Sequence, residues 1–290
     1  MANVFDVAEY ILKRCGAMSA MKLQKLVYYC QAWSLVWDDE PIFPETIEAW
    51  INGPVVPALY QRHKGIFKIL PNSLSGNPDA LTPEQKDTVN TVCDSYSRLN
   101  AQQLSDLTHS EVPFINARKG LALNERGHNA ISLADMSEYY QSCVMSKKAK
   151  EKKLYAINPK TLQRKSVRKN QTDNLNHICW QFSLMDLSGP YSCSEIKPDE
   201  WLLILSKIRL WETMTWNEIE GRRDHSISIE SLSDTTKKRL TDLQLDDIDE
   251  VFSLHIDGKK RLFGIRDRNI FKVLWWDREH NVCPSLKKHT

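Results

Sequence analysis

The chain has 290 residues, 41% of them hydrophobic and 26% charged, with a net charge of +2. That is an ordinary globular mixture, long enough for two cores, and no stretch approaches the roughly 20 apolar residues of a membrane span. Charge is uneven: residues 1–145 carry −4, residues 146–170 carry +9 and residues 171–290 carry −3, so neither flank has the wide basic field of a DNA-binding domain. The opening Met1-Ala2-Asn3-Val4-Phe5-Asp6 lacks a basic segment followed by an apolar run, so no signal peptide is expected. Seven cysteines, none in a C-x-x-C pair and several inside apolar runs, suit reduced, buried thiols of a cytoplasmic protein.

The first half reads as helices. Val4, Val7, Ala8, Ile11 and Leu12 recur at helical spacing, and Leu23, Leu26, Val27, Cys30, Trp33 and Trp37 form the longest apolar stripe, on an amphipathic helix. Gly53-Pro54, Pro57 and Pro71-Asn72 break the chain. Thr82-Pro83-Glu84-Gln85 combines a capping Thr, a Pro at the first helical position and a Gln at the third, ahead of Val89, Val92, Tyr96 and Leu99 on one face. Ser132 and Asp135 open a last helix carrying Met136, Tyr139, Tyr140 and Val144. With no convincing strand before residue 150, residues 1–145 are expected to form an all-α bundle. Residues 146–172 are basic and aperiodic, hence a solvated linker, or an arm touching RNA phosphates or an acidic partner.

Residues 173–290 read differently. Ile178, Trp180, Phe182 and Leu184 alternate like a strand; Pro198 starts a helix with Trp201, Leu202, Leu205 and Ile208; Thr215 to Glu218 is another capping box; residues 233–245 are a further helix. Three strands follow, the first ending at the turn pair Asp257-Gly258, the second at Asp267-Arg268-Asn269, and the third running from Ile270 to Trp276. Strand, helices, then an antiparallel meander make an α+β domain. The expected architecture is therefore two domains, an all-α bundle followed by an α+β domain.

Several clusters stand out. Tyr28, Tyr29 and Trp33 lie on the aromatic face of the second helix, either as core or as a docking face. Trp50 precedes Gly53-Pro54, where glycine permits a tight turn that proline fixes. Thr108, His109 and Glu111 are the one cluster in this half that suggests acid–base work. With no nucleophile or metal partner beside it, His109 reads better as a hydrogen-bonding, structural histidine.

At these residues the chain resembles a family. Leu23-Gln24-Lys25-Leu26-Val27-Tyr28-Tyr29, Pro41-Ile42-Phe43, Glu48-Ala49-Trp50 and Gly53-Pro54-Val55-Val56-Pro57 to Tyr60 are similar to the Panacea, or SocA-like, antitoxin domain. So are Leu104 to His109 with Glu111, Pro113, Ala117 and Arg118, and Ile131 with Asp135-Met136 and Tyr139-Tyr140. Phe114 departs conservatively from an expected tryptophan. The resemblance implies a helical domain over about 5–145 that binds and neutralises a toxin, without catalysis of its own, or that hands its toxin to a protease as an adaptor. Tyr28, Tyr29, Trp33, Trp50, Thr108 and His109 are the partner-binding candidates it implies.

The second half has a weaker likeness. Arg261, Arg266 and Arg268 on the hairpins, with His280 after the last strand, suit phosphate binding and proton transfer. The order of elements over about 177–285 resembles the RelE/ParE toxin superfamily, which implies RNA cleavage, with mRNA or the ribosome as partner. The same arginines also suit a solvated sheet face paired with Asp257, Asp267 and Asp277. His177-x-Cys179 with His280-x-x-Cys283 has no known zinc spacing, and neither a metal nor a cofactor is expected. The leading expectation is a fused toxin–antitoxin protein: the first domain neutralises a toxin in cis or a separate one, and the second is a candidate RNA-cleaving toxin. The alternative is a non-catalytic antitoxin or proteolytic adaptor for a separately encoded toxin.

Overall fold

The structure, a computed structural model, describes residues 2–122, 125–145, 177–221 and 223–284. The chain divides into two compact units, Met1–Ser166 and Val167–Thr290. The basic segment read as a linker or RNA-touching arm, 146–172, lies outside the described residues.

The first unit is mostly helical: α1 (Val4–Cys15), α2 (Ala20–Trp37), α3 (Pro57–His63), α4 (Pro83–Tyr96), α5 (Ala101–His109), α6 (Val112–Ala117) and α7 (Leu133–Met145). Local chemistry sets their starts. Asn3 Oδ1 accepts from the Phe5 and Asp6 amides while Asp6 reaches back to the Asn3 amide. The expected box at Thr82 is present, with the Gln85 amide on Thr82 Oγ1 and Gln85 Oε1 on the Thr82 amide. α2 differs from its expected amphipathic form. Fifteen of its eighteen residues are buried, because α1, α3, α4, α5 and α7 all pack against it. The bundle is built around α2 rather than closed by it.

That burial drives the glutamines and the serine on α2 to find partners. Gln31 accepts from the Ile42 and Phe43 amides and donates to the Phe43 carbonyl. Ser34 Oγ donates to Glu40 O at 2.7 Å. Irregular chain at 40–43 is thereby pinned to the helix. Two short antiparallel pairs also occur: β1 (Met18–Ser19) with β4 (Lys68–Ile69), and β2 (Glu48–Trp50) with β3 (Gly53–Val55). These correct the expectation of no strand before residue 150. Strands of two or three residues are too short to show alternation.

The second unit is α+β, as expected. A five-stranded sheet has the order β5-β9-β8-β7-β6, with β5 (Cys179–Gln181), β6 (His225–Ser228), β7 (Glu250–Asp257), β8 (Lys260–Asp267) and β9 (Ile270–Asp277). β7, β8 and β9 form the antiparallel meander; β5 joins β9 in parallel, and β6, absent from the sequence reading, pairs with β7. Among the described residues three helices accompany it, α8 (Pro198–Trp211), α9 (Trp216–Ile219) and α10 (Asp234–Asp242). Ile204, Ile208 and Trp211 of α8 pack with Phe252, Leu254 and Phe271. Leu262 to Ile265 are all buried, so β8 is covered on both faces and lacks a polar one.

Candidate functional site

The motif residues of the first unit converge on the back of the β2–β3 hairpin. Gln24 Oε1 accepts from the Val56 amide at 2.9 Å, and its amide nitrogen lies 3.0 Å from His63 Nε2. Lys25, 1% exposed, donates to Pro54 O at 3.1 Å. Ser105 Oγ donates to Asn52 O at 2.9 Å, and Arg118 Nη1 to Ala49 O at 3.0 Å. The His109 ring lies between two carbonyls, with Nδ1 2.9 Å from Ser105 O and Nε2 3.2 Å from Ile51 O. A three-residue strand has too few ladder bonds to hold itself, and these side chains supply the rest.

Gly53 is required twice. Its φ is +111°, and a Cβ there would sit 2.6 Å from Lys25 Cε and 3.2 Å from Thr108 Oγ1. Thr108 itself is buried and donates to Ser105 O at 2.8 Å.

The outer side of the hairpin is a different surface. Trp50 is half-buried; its ring meets Tyr60 edge-on at 4.8 Å and His128 at 5.7 Å. Trp50 Nε1 donates to Glu48 Oε2 at 2.7 Å, and His128 Nδ1 lies 2.9 Å from the same oxygen. The His128 side chain is 72% exposed and that of Glu48 21%. An indole, a carboxylate and an imidazole thus share one accessible patch on a rigidly backed hairpin. Sequence reasoning missed Glu48 and His128 as partners, because 80 residues separate them and His128 stands in no local pattern.

Of the six partner-binding candidates, Trp50 and His109 are partly accessible, whereas Tyr28, Tyr29, Trp33 and Thr108 are buried and present no surface to a second protein. The buried aromatics enclose Glu111. Tyr140 Oη donates to Glu111 Oε2 at 2.6 Å and Tyr29 Oη to Oε1 at 3.2 Å; Tyr28 and Tyr140 hydroxyls lie 3.4 Å apart. Burial pushes the Glu111 carboxyl up to about 8, against the two tyrosine hydrogen bonds that favour its charged form. The cluster is a sealed polar core, and neither Glu111 nor Thr108 has access to a substrate.

In the second unit the four catalytic candidates do not converge. Arg261 stands opposite Asp277, the last residue of β9, so it shares an end of the sheet with His280. Arg266 is five residues further along β8, about 17 Å away, and Arg268 lies in the turn beyond, at φ +55°. Arg261 donates to the Gly258 and Lys260 carbonyls, and burial lowers its pKa. Arg266 lies 4.5 Å over the Trp216 ring and pairs with Glu220 at 3.0 Å. Arg268 stands 3.7 Å from Asp267. The tryptophans of β9, Trp275 and Trp276, are buried and offer no face to a base. Separation of the two sheet ends follows from the extended strand, which spaces every residue it carries.

The same length separates the histidines and cysteines weighed as metal ligands. Cys179 lies beside Ile270 at the start of β9, whereas His280 and Cys283 follow its end. Among the described residues, no three His, Cys, Asp or Glu side chains gather as a metal would require. None of the helices is long and apolar enough to cross a membrane, again among the described residues. The thiols are less uniformly buried than expected: Cys30, Cys93 and Cys193 are buried, Cys179 is exposed, and Cys15, Cys143 and Cys283 are intermediate.

The strongest polar anchor of the second unit is structural. Asp186 accepts from Arg239 at 2.7 and 2.6 Å, from the Ser188 amide and from Trp275 Nε1. Burial would raise its pKa, but Arg239 and these donors bring it below the usual carboxylate value. Glu200, forked by Arg278 and bonded by the Lys197 amide, is held at about 2, with Lys260 at 3.5 Å.

Comparison with known proteins gives one family. Residues 23–113 match the model of the antitoxin SocA-like, Panacea domain. The matched stretch contains α2 from Leu23 onward, the β2–β3 hairpin, α3, α4 and α5, and so most of the side chains that hold the hairpin. No curated protein and no solved structure matches the chain.

Proposed function

We propose that this chain, which carries a Panacea-type antitoxin domain, neutralises a separately encoded toxin by seating it on the Trp50–Glu48–His128 patch. The observation that carries the reading is the division of labour on the hairpin. Its back is fastened by buried polar side chains, and its front presents a half-exposed tryptophan fixed by a hydrogen bond to Glu48. A large amphipathic side chain already held in place loses little freedom on binding, which is how interface anchors gain affinity.

The second unit supports the non-catalytic alternative over an RNA-cleaving toxin. Its arginines are split between two ends of a strand and engaged internally, so no single point faces three cations and a proton donor. We therefore read residues 173–290 as a recognition domain. Expression of this segment alone is expected to leave growth and bulk mRNA unaffected; growth arrest with RNA cleavage would restore the fused-toxin reading.

The test of the antitoxin reading is co-expression of the full chain with toxin proteins encoded beside its gene. Rescue of growth and a stable complex are expected. Trp50→Ala is expected to weaken the complex by about 2 kcal/mol, roughly 30-fold in Kd, measured by calorimetry. An unchanged Kd would remove the patch from the interface. Direct neutralisation leaves the toxin's cellular level constant, whereas a falling level would mark the protease-adaptor route instead.

A further inference from the structure

We propose that Cys15 and Cys93 form a reactive thiol pair that exchanges with small anionic disulfides and closes to an intramolecular disulfide joining α1 to α4. Nothing in the antitoxin reading requires this pair. Cys15 is the last residue of α1 and half-buried, whereas Cys93 lies within α4 and is buried. Their thiols hydrogen-bond to each other. The helices already run side by side here: Tyr10 Oη lies 3.3 Å from Asn90 Oδ1, and Arg14 Nη2 lies 2.6 Å from Asp94 Oδ1. Helix pairing therefore brings the two sulfurs together without help from a loop.

The pair opens on a cleft of 390 Å³ whose charged lining is Arg14, Lys22 and Asp94. Arg14 is ion-paired with Asp94, and Lys22 Nζ donates to Ser97 O at 2.6 Å, so both cations are held in place beside the thiols. The hydrogen bond from Cys93, followed by Arg14 and Lys22, brings the Cys15 thiol down to about 7 against burial and Asp94. Cys93 moves the other way, raised by that same bond, by burial and by the neighbouring buried Cys30. Exposure divides the two roles of an exchange pair: half-buried Cys15 is open to attack a small disulfide, and buried Cys93 is placed to resolve the adduct.

The chemistry balances with a low-molecular-weight disulfide as oxidant. The Cys15 thiolate attacks one sulfur, its S–S bond breaks, and one thiolate leaves. The Cys93 thiol gives its proton to that departing thiolate and attacks Cys15 Sγ, which expels the second small thiolate, protonated by solvent. Two cysteines are oxidised by two electrons, and one small disulfide is reduced to two thiols. The cationic lining suits an oxidant that carries carboxylates.

The test treats the reduced full-length chain with oxidised glutathione at pH 7 and follows each thiol by peptide mapping. A Cys15–Cys93 linked peptide is expected, with two glutathiones released per link. Cys15 is expected to react at least about threefold faster than exposed Cys179, since the Arg14 and Lys22 side chains lining its cleft favour its thiolate and attract the carboxylates of the oxidant. Cys93→Ser is expected to trap glutathione on Cys15, and Cys15→Ser to leave Cys93 reduced. Reaction of Cys15 no faster than that of Cys179, or a persistent glutathione adduct on Cys15 in the unsubstituted chain, would overturn the proposal. So would a Cys15–Cys30 link. The first two readouts use the unsubstituted chain and do not depend on a variant folding.

Discussion

The polar residues that stand out in the sequence of the two units meet different fates. In the first, Gln24, Lys25, Ser105 and Glu111 are buried, and each is spent on backbone or a tyrosine hydroxyl. In the second, the arginines that draw the eye lie along strands and turns, and each is answered locally by a carbonyl, an aromatic face or a carboxylate. The first makes a rigid support for an exposed patch, because removing polar groups from water forces them into fixed partnerships. The second is a sheet whose charges serve its own edges and turns.

The largest expected effect tests whether the second unit shares the deep polar anchoring of the first. Asp186→Ala leaves Trp275 Nε1 without its acceptor and Arg239 with Ser188 as its remaining partner, stripped of its countercharge, and is expected to cost about 4 kcal/mol, read as lost hydrogen-exchange protection in β8 and β9. An effect below about 1 kcal/mol would mean that the anchor is ornamental. Next comes Gly53→Ala, expected to destabilise the first unit by about 3 kcal/mol, from an unfavourable φ and a collision with Lys25. Gly258→Ala is the matched control in the second unit. Its φ is +49° and nothing lies within 4 Å of an added Cβ, so about 1 kcal/mol or less is expected. Equal costs at the two glycines would deny that the hairpin is clamped from behind.

A smaller effect comes from pH. Glu111 has a folded pKa of about 8, above the 4.5 of an ordinary glutamate. The folded state therefore keeps a proton that the unfolded chain loses, and stability falls as pH rises between those values. The slope is at most about 1.4 kcal/mol per pH unit, measured by denaturant titration at several pH values. Glu111→Gln is expected to flatten it. The opposite sign belongs to Glu200, whose depressed pKa makes the second unit lose stability as pH falls from 4.5 toward 2. Arg266→Ala is expected to cost a similarly small amount, about 1 kcal/mol from the lost contact with Trp216 and Glu220, with no change in RNA binding.

Much of the fold was legible because it is written locally. The boxes at Thr82 and Thr215, Pro57 and Pro83 at helix starts, and the Asp257-Gly258 turn all act through neighbours three or four residues away. The meander was legible for the same reason, since its turns are short. β6 escaped notice because His225-Ser226-Ile227-Ser228 is a weak strand that exists by pairing with β7.

The site was legible only in part. Trp50 and the Gly53-Pro54 turn stand out in the sequence, and so does the family resemblance that the match over residues 23–113 supports. Which face of each motif meets solvent was decided by the packing of five helices around α2. That packing takes Tyr28, Tyr29 and Trp33 out of reach and leaves Trp50 at the surface. The approach of Glu48 to His128 and of Cys15 to Cys93 was decided there too. A sequence records which side chains exist and what their near neighbours favour. Contacts between residues 80 positions apart arise only when the chain closes on itself, since the burial that holds them belongs to the whole core.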